Sequence, residues 1–432
     1  MKKVLVLGAI DSFCDLIRDF KAKNIETIVC DYYEGAPGKK IADFAYDVST
    51  LDLDGLEEIG RKHRIDGVMC AFSDRNIYPC YETARRLNLP QMYNPQLIDL
   101  LTDKIKMKEK LLKDGFPIIN YRILPVDFAD EDLDGLEFPV VTKPVDSSGS
   151  KGIYICDSPA DIRRKMHSTL EMSVNHEDEF IVEEYYPYDE ISITAWVQYS
   201  TSYVTCVYDN GKNFDRNSEM NVTLSSVVFP SKYTDAHIDE FRLLTDRLAK
   251  SFGIKEGPMT VQCFIGPRGL KVNEVILRLA GDSAYMCSEV LGAPSVAGMT
   301  EDFSVGNEID CKDLKTFTPA GKKTHYQIGV YVHHKGRIHF DFTKESLMNS
   351  VPGLKRIDIF ASSGDEYKFI TTGGNVVARL YVEADSSIGN YEEYIELLRR
   401  ETVIRNDEGE IISNLHVPSG KVSRECFEFS YI

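Results

Sequence analysis

The chain has 432 residues, too many for one compact core, so roughly two to four domains are expected. Hydrophobic residues make up 43% and charged residues 27%, the balance of a soluble globular protein. Acidic residues outnumber basic ones, 68 to 50, and a net charge of −18 excludes nucleic acid and anionic membrane as partners of the surface as a whole. An anionic nucleotide fits such a chain only where lysines are concentrated in one cleft. The 10 cysteines are scattered singly, without a Cys-x-x-Cys pair, and read as small buried residues of a reducing compartment. The apolar run after Met1-Lys-Lys breaks at Asp11, and no segment reaches about 18 apolar residues. Neither a signal peptide nor a membrane span is expected, and the expected location is the cytoplasm.

Val4 to Leu7 reads as a parallel-type strand ending at Gly8, with a helix over 13–20 and a second strand over 26–31. Only Gly8 remains of the Gly-x-Gly-x-x-Gly pattern, so a dinucleotide site is not indicated. A strand over 66–72 and a helix over 77–87 follow, and Pro90 and Pro95 mark a boundary near residue 96. Residues 1–96 are therefore expected to form a small open parallel α/β domain. The pattern predicts one helix over 97–114, closed by Gly115 and Pro117. Lys104 and Lys108 share a face of it, and for Lys108 a solvated surface position is expected.

The stretch Phe138 to Gly152 then places an apolar strand before Lys143 and follows it with a loop of Asp, Ser and Gly carrying Lys151. Small residues let backbone N–H groups approach an anion, so this loop suits a polyphosphate; on its own such a loop is more often an ordinary turn. Ser158 and Pro159 open a helix. Glu179 to Glu184 is a strand running into acids, followed by Tyr185, Tyr186 and Glu190, and a further strand spans 191–199. Acids at a strand end are stabilised by hydrogen-bond donors, which an adenine amino group or ribose hydroxyls supply; a solvated strand end is the alternative. The polar loop 209–226 contains Arg216, and a helix over 235–252 stops at Gly253. Strands 259–265 and 270–278 form a hairpin in which strict alternation puts Glu274, Ile276 and Arg278 on one face. Glu274 and Arg278 suit a cross-strand ion pair or a metal ligand beside a phosphoryl clamp. From about 313 the chain changes to short alternating strands and one helix over 391–400; His333 and His334 point to opposite faces and are read as structural.

The order of these features resembles the ATP-grasp superfamily, in the branch that contains biotin carboxylase, carbamoyl phosphate synthase and amino-acid ligases. The likeness rests on Thr102-Asp103-Lys104, Pro139-Val-Val-Thr-Lys143-Pro, Val182-Glu-Glu-Tyr-Tyr with Glu190, Gly257-Pro with Gln262, and Glu274-x-x-x-Arg278. It covers the chain in domain order, with specific motifs between 100 and 285. The fold it implies is α/β and α+β multidomain. An N-terminal open parallel α/β domain (the pre-ATP-grasp domain) spans 1–96, an ATP-grasp domain of two α+β lobes spans 97–312, and a small C-terminal α+β domain spans 313–432.

The resemblance implies ATP and Mg2+, or Mn2+ in its place, as cofactors. Lys104 and Lys143 would contact the phosphates. Ser147, Ser148, Gly149, Ser150 and Lys151 would fold over them as a flap. Glu183 and the main chain of Glu184 and Tyr186 would hold adenine, and Glu190 the ribose. Gln262 and Glu274 would hold magnesium, and Arg278 would act with Lys143 in catalysis. The family pattern is Glu-x-Asn-x-Arg, and here Ile276 stands in the Asn position, which leaves one magnesium short of an oxygen. Asn273 is adjacent to Glu274 and faces the other way unless a bulge re-aims it. The implied activity is an ATP-dependent carboxylate–amine ligase acting through an acyl phosphate, on small-molecule substrates and as a homodimer. A bicarbonate-using carboxylating or carbamoyl-phosphate-type enzyme, or a non-catalytic ATP-binding protein, are the alternatives.

Overall fold

The computed structural model describes residues 1–147, 151–173, 178–213, 223–281, 285–321, 323–368, 375–384 and 391–416. At the N-terminus, strands β1 (Lys3–Leu7), β2 (Glu26–Cys30), β3 (Phe44–Tyr46) and β4 (Gly67–Cys70) form a parallel sheet in the order β3-β2-β1-β4. Helix α1 (Phe13–Ala22) connects β1 to β2, α2 (Leu53–His63) connects β3 to β4, and α3 (Ile77–Leu87) follows β4. Alternation divides β1 between two cores: Val4 and Val6 pack with Phe13 and Leu16, whereas Leu5 and Leu7 pack with Leu56 and Ile77.

The single helix expected over 97–114 is two helices, α4 (Pro95–Thr102) and α5 (Lys104–Lys113). Asp103 breaks it. Its backbone is extended, and its carboxylate accepts hydrogen bonds from the N–H groups of Ile105 and Lys106, so it caps α5 instead of continuing α4.

Strands β5 (Tyr121–Pro125), β6 (Val140–Lys143), β7 (Tyr154–Cys156) and β8 (Glu179–Glu184) make a small antiparallel lobe in the order β5-β8-β6-β7. Helix α6 (Pro159–Leu170) covers one face, capped by Ser158. This lobe has its own core, in which Leu124, Val140, Ile162, Phe180 and Val182 meet.

The large lobe contains β9 (Asp189–Gln198), β10 (Thr201–Asn213), β11 (Thr223–Phe229), helix α7 (Thr234–Phe252), β12 (Glu256–Gly266) and β13 (Gly269–Ile276). Its strands run in the order β13-β12-β9-β10-β11, and the sheet continues from β11 into β14 (Thr324–Val332) and the strands Asn375–Ala384 and Leu354–Ile359. One face of the large-lobe sheet, including Ile191, Ile193, Val261, Val272 and Val275, joins the core shared with Leu5 and Leu97. The opposite face is left to carry the polar residues. The architecture is α/β and α+β multidomain, as expected. Among the described residues no helix is long and apolar enough to cross a membrane.

Candidate active site

Sheet order in the small lobe brings the first pair of charged residues together. Strand β8 lies beside β6 with Val141 opposite Glu183 and Lys143 opposite Ile181, so Lys143 and Glu183 are diagonal neighbours on one face. The Lys143 Nζ donates to Glu183 Oε1 at 2.7 Å. On the other side of that carboxylate, Lys108 Nζ lies 2.7 Å from Oε2 and 5.0 Å from the centre of the Tyr121 ring. Lys108 is only 2% exposed, so it is not the solvated lysine expected from the helix pattern. Its partner acid comes from a strand that the periodicity of α5 cannot reveal.

Burial alone would raise the pKa of Glu183, but Lys108 and Lys143 outweigh it and hold the carboxyl down at about 2. Burial pushes Lys143 the other way, down to about 8, against the attraction of Glu183 and with the repulsion of Lys108 and Lys104. Lys104 opens α5, where its N–H donates to the Val145 carbonyl at 3.1 Å. Its ammonium donates to the Ser147 carbonyl and lies 3.7 Å from Glu274 Oε1. The lysine cluster therefore bridges the small lobe and strand β13 of the large one.

On the large-lobe sheet, Glu190, Ser192 and Thr194 of β9 stand opposite Phe264, Gln262 and Thr260 of β12, and Gln262 and Thr260 stand opposite Glu274 and Ile276 of β13. The register slips between Gln262 and Cys263. Gln262 faces Glu274 while Cys263 faces Val272, so Asn273 is the extra residue of a β-bulge. Val272 and Val275 are both buried in the core, whereas Asn273 and Glu274 between them are both half-buried. Strict alternation, which would turn Asn273 away, therefore fails here. Lys143 Nζ donates to Asn273 Oδ1 at 3.4 Å. Ile276 is 8% exposed.

Glu190 is buried and accepts from Asn210 Nδ2 at 2.9 Å, which also donates to Ser192 Oγ at 2.9 Å. At the strand end between the lobes, the Glu184 N–H donates to the Asn120 carbonyl at 3.0 Å and its carboxylate receives Arg268 at 3.2 Å. The Tyr186 hydroxyl donates to the Gly269 carbonyl at 2.7 Å, which ties this segment to the β12–β13 hairpin.

Arg278 falls just beyond β13 rather than within it. Asp74, after β4 of the N-terminal sheet, receives its Nε at 2.7 Å and its second terminal nitrogen at 2.8 Å, a bidentate pair. Burial works against the guanidinium charge, and Asp74 outweighs it and raises the Arg278 pKa. Lys151 is exposed, and Gly152 has φ +73°, where a Cβ would lie 2.7 Å from the Pro144 ring. Ser148, Gly149, Ser150 and Arg216 lie outside the described residues.

Thus Lys104, Lys143, Glu183 and Glu274 converge, Gln262 and Glu190 share the sheet face beside them, and Arg278 is held at the N-terminal side. Sequence reasoning missed three residues: Lys108, Asn273 and Asp74. The four-residue spacing from Lys104 was a signal for the first, and adjacency to Glu274, subject to a bulge, for the second; nothing local marks Asp74.

Residues 136–285 match the family model of the ATP-grasp domain. This stretch of the chain is an ATP-grasp domain. The formate-dependent phosphoribosylglycinamide formyltransferase of Bacteroides fragilis is 26% identical over 209 residues, covering 46% of this chain and 52% of its own. The chain thus spans about half the length of the curated relatives it matches. The fold is shared with the L-amino acid ligase of Bacillus licheniformis, at a TM-score of 0.75 and 15% identity over 94% of this chain and 99% of that one. It is shared too with the biotin carboxylase domain of 2-oxoglutarate carboxylase from Hydrogenobacter thermophilus, solved with MgADP and bicarbonate. There the TM-score is 0.72 and the identity 17%, over 96% of this chain and 91% of that one.

Proposed function

We propose that this ATP-grasp protein is an ATP-dependent ligase that joins a small carboxylate to an amine and releases ADP and phosphate. The observation that carries the reading is the charge of the cleft. Three lysines, Lys104, Lys108 and Lys143, gather round Glu183 and Glu274 in a chain that is otherwise strongly acidic. Such a lysine cluster between two lobes is suited to a polyphosphate.

In this reading ATP lies between the lobes, with adenine at Glu183 to Tyr186, ribose at Glu190, and the phosphates at Lys104 and Lys143. The donor set fits Mg2+, with Mn2+ as a substitute: Glu274 is one hard anionic oxygen ligand beside the Gln262 amide, and Mg2+ takes few protein ligands because substrate phosphates supply the rest. When bound, the metal neutralises charge on the transferred phosphoryl group. Lys143 and Lys104 bind and orient the triphosphate, and Arg278, held by Asp74, stabilises the charge that develops as the carboxylate oxygen attacks the γ-phosphorus. The amine then attacks the acyl carbon of the acyl phosphate, phosphate departs with the former carboxylate oxygen, and the amine proton passes to solvent.

The curated relative is named for formate, a small carboxylate, and one structural neighbour is an L-amino acid ligase. Both support the reading. A cytoplasmic homodimer is proposed with it. The test is release of ADP and phosphate from Mg-ATP across pairs of small carboxylates and amines. Release that needs both partners supports a ligase; release with bicarbonate alone points to a carboxylating enzyme; release unchanged by Lys143→Ala contradicts the site.

A further inference from the structure

We propose that Asn273 is a divalent-cation ligand, supplying with Glu274 and Gln262 the oxygen that Ile276 cannot. This rests on the Mg-nucleotide reading of the cleft and goes beyond it by assigning a residue to which neither the sequence pattern nor the family motif gives that role.

Three observations carry it. The bulge at Gln262–Cys263 makes Asn273 the additional residue of β13, and in such a bulge two consecutive side chains turn to one side of the sheet. Burial follows that geometry: Val272 and Val275 enter the core, while Asn273 and Glu274 both stay half-buried on the cleft side. The side-chain contact agrees, because Asn273 Oδ1 accepts from Lys143 Nζ at 3.4 Å while Glu274 Oε1 lies 3.7 Å from Lys104 Nζ. Each of the two lysines assigned to the phosphates thus lies against one of two consecutive oxygen-bearing side chains. When the lysines turn to phosphate, both oxygens are released toward the same space.

An amide oxygen is a hard neutral donor of the kind Mg2+ and Mn2+ accept. Among the described residues no group of three or more His, Cys, Asp or Glu side chains gathers to hold a metal, so the amide donors Gln262 and Asn273 are the oxygens that stand next to Glu274. Ile276, one turn of the pleat further on, is 8% exposed and offers no oxygen at all. The bulge moves the donor from one side of Glu274 to the other.

The test is Mn2+ uptake in the presence of ADP, followed by the loss of the free-ion electron paramagnetic resonance signal, with thermal melting of each variant as the folding control. Asn273→Ala is expected to weaken Mn2+ binding by about tenfold or more, in the range seen when a metal site loses a supporting group. Asn273→Asp is expected to tighten it, since a carboxylate replaces a neutral oxygen. The double variant Asn273→Ala with Ile276→Asn is expected to recover most of the affinity by restoring an oxygen at the other position.

Unchanged Mn2+ binding in a folded Asn273→Ala overturns the inference. So does an Asn273→Asp variant that loses ADP affinity equally with and without Mn2+, which would make the amide a phosphate donor. If the wild type turns over carboxylate and amine while Asn273→Ala binds Mn2+ normally, this inference fails alone. If the wild type and variants follow the expected Mn2+ order but no substrate pair is turned over, only the ligase reading fails. A wild type that takes up no Mn2+ with ADP overturns both.

Discussion

Glu183 in the cleft and Glu301, in the helix Val296–Ser304 beside the N-terminal domain, are both buried glutamates next to lysine. Glu183 has two cations to itself, Lys108 and Lys143, each at 2.7 Å, and its carboxyl is held down at about 2. Among the described residues Glu301 pairs with Lys23 alone, at 3.0 Å, and Lys23 also serves Asp302. Burial therefore wins there, helped by repulsion from Asp19 and Asp302, and its carboxyl rises to about 7. The difference teaches that burial by itself does not mark a functional acid. In the cleft one buried carboxylate is matched by two lysines, whereas at Glu301 a single lysine is shared between two carboxylates.

The strongest way to break this contrast is Glu183→Gln. It leaves Lys108 and Lys143 buried without their counter-charge, and a loss of about 3–5 kcal/mol in urea denaturation at pH 7 is expected, as for other broken buried pairs. The sign with pH is fixed: a carboxyl lowered from 4.5 to about 2 contributes stability above 4.5 that disappears as pH falls through about 2. The variant should lack that contribution. Stability equal to the wild type at pH 7 would show that the two lysines do not depend on Glu183.

Lys143→Ala removes a cation that the account gives to the phosphates. Turnover should fall by about 10²–10³-fold, the usual effect of losing one electrostatic donor to a transition state. A fall of less than a few-fold, measured as ADP release, would detach Lys143 from the chemistry.

At Glu301 the expected sign is the reverse. A carboxyl raised from 4.5 to about 7 gives stability that is present below 4.5 and is lost as pH rises through about 7. Glu301→Gln should therefore be more stable than the wild type at pH 8, by about 3 kcal/mol from the size of the shift, and nearly equal to it at pH 4. Denaturation curves at the two pH values measure this, and a destabilised variant at pH 8 would mean that the Lys23 contact outweighs burial.

The smallest expected effect concerns Asp74. Asp74→Asn keeps the shape but weakens the bidentate hold on Arg278, and turnover should fall about tenfold, or about 1.4 kcal/mol, with the KM for ATP nearly unchanged. Asp74→Glu should recover part of it. A change in KM alone would place Arg278 in nucleotide binding instead.

What could be read in the sequence was local. Strand alternation, Gly253 closing α7 and the Ser158–Pro159 helix start all follow from neighbours in the chain. The ordered motifs from Lys104 to Arg278 were legible because each is a short run. The remaining features depend on distance in the chain or on register. The apolar pattern on both sides of Asp103 is continuous and favoured one helix; the carboxylate's hydrogen bonds to Ile105 and Lys106, which divide it, are seen only in the structure. Lys108 is buried by a carboxylate on β8, and Asp74 meets Arg278 from 204 positions away in the chain. Asn273 is hidden for a different reason: a bulge breaks the period of two on which facing is inferred, and only the register with β12 shows it.

The central claim is that a carboxylate is activated by phosphoryl transfer in the cleft between the lobes. With a substrate pair found by ADP release, the carboxylate labelled with ¹⁸O in both oxygens is the direct probe. The account predicts one ¹⁸O in the released phosphate for each product formed, because the oxygen that attacks the γ-phosphorus leaves with it. Phosphate free of ¹⁸O, in a reaction that still forms the product, would contradict the acyl phosphate and with it the ligase mechanism proposed for this site.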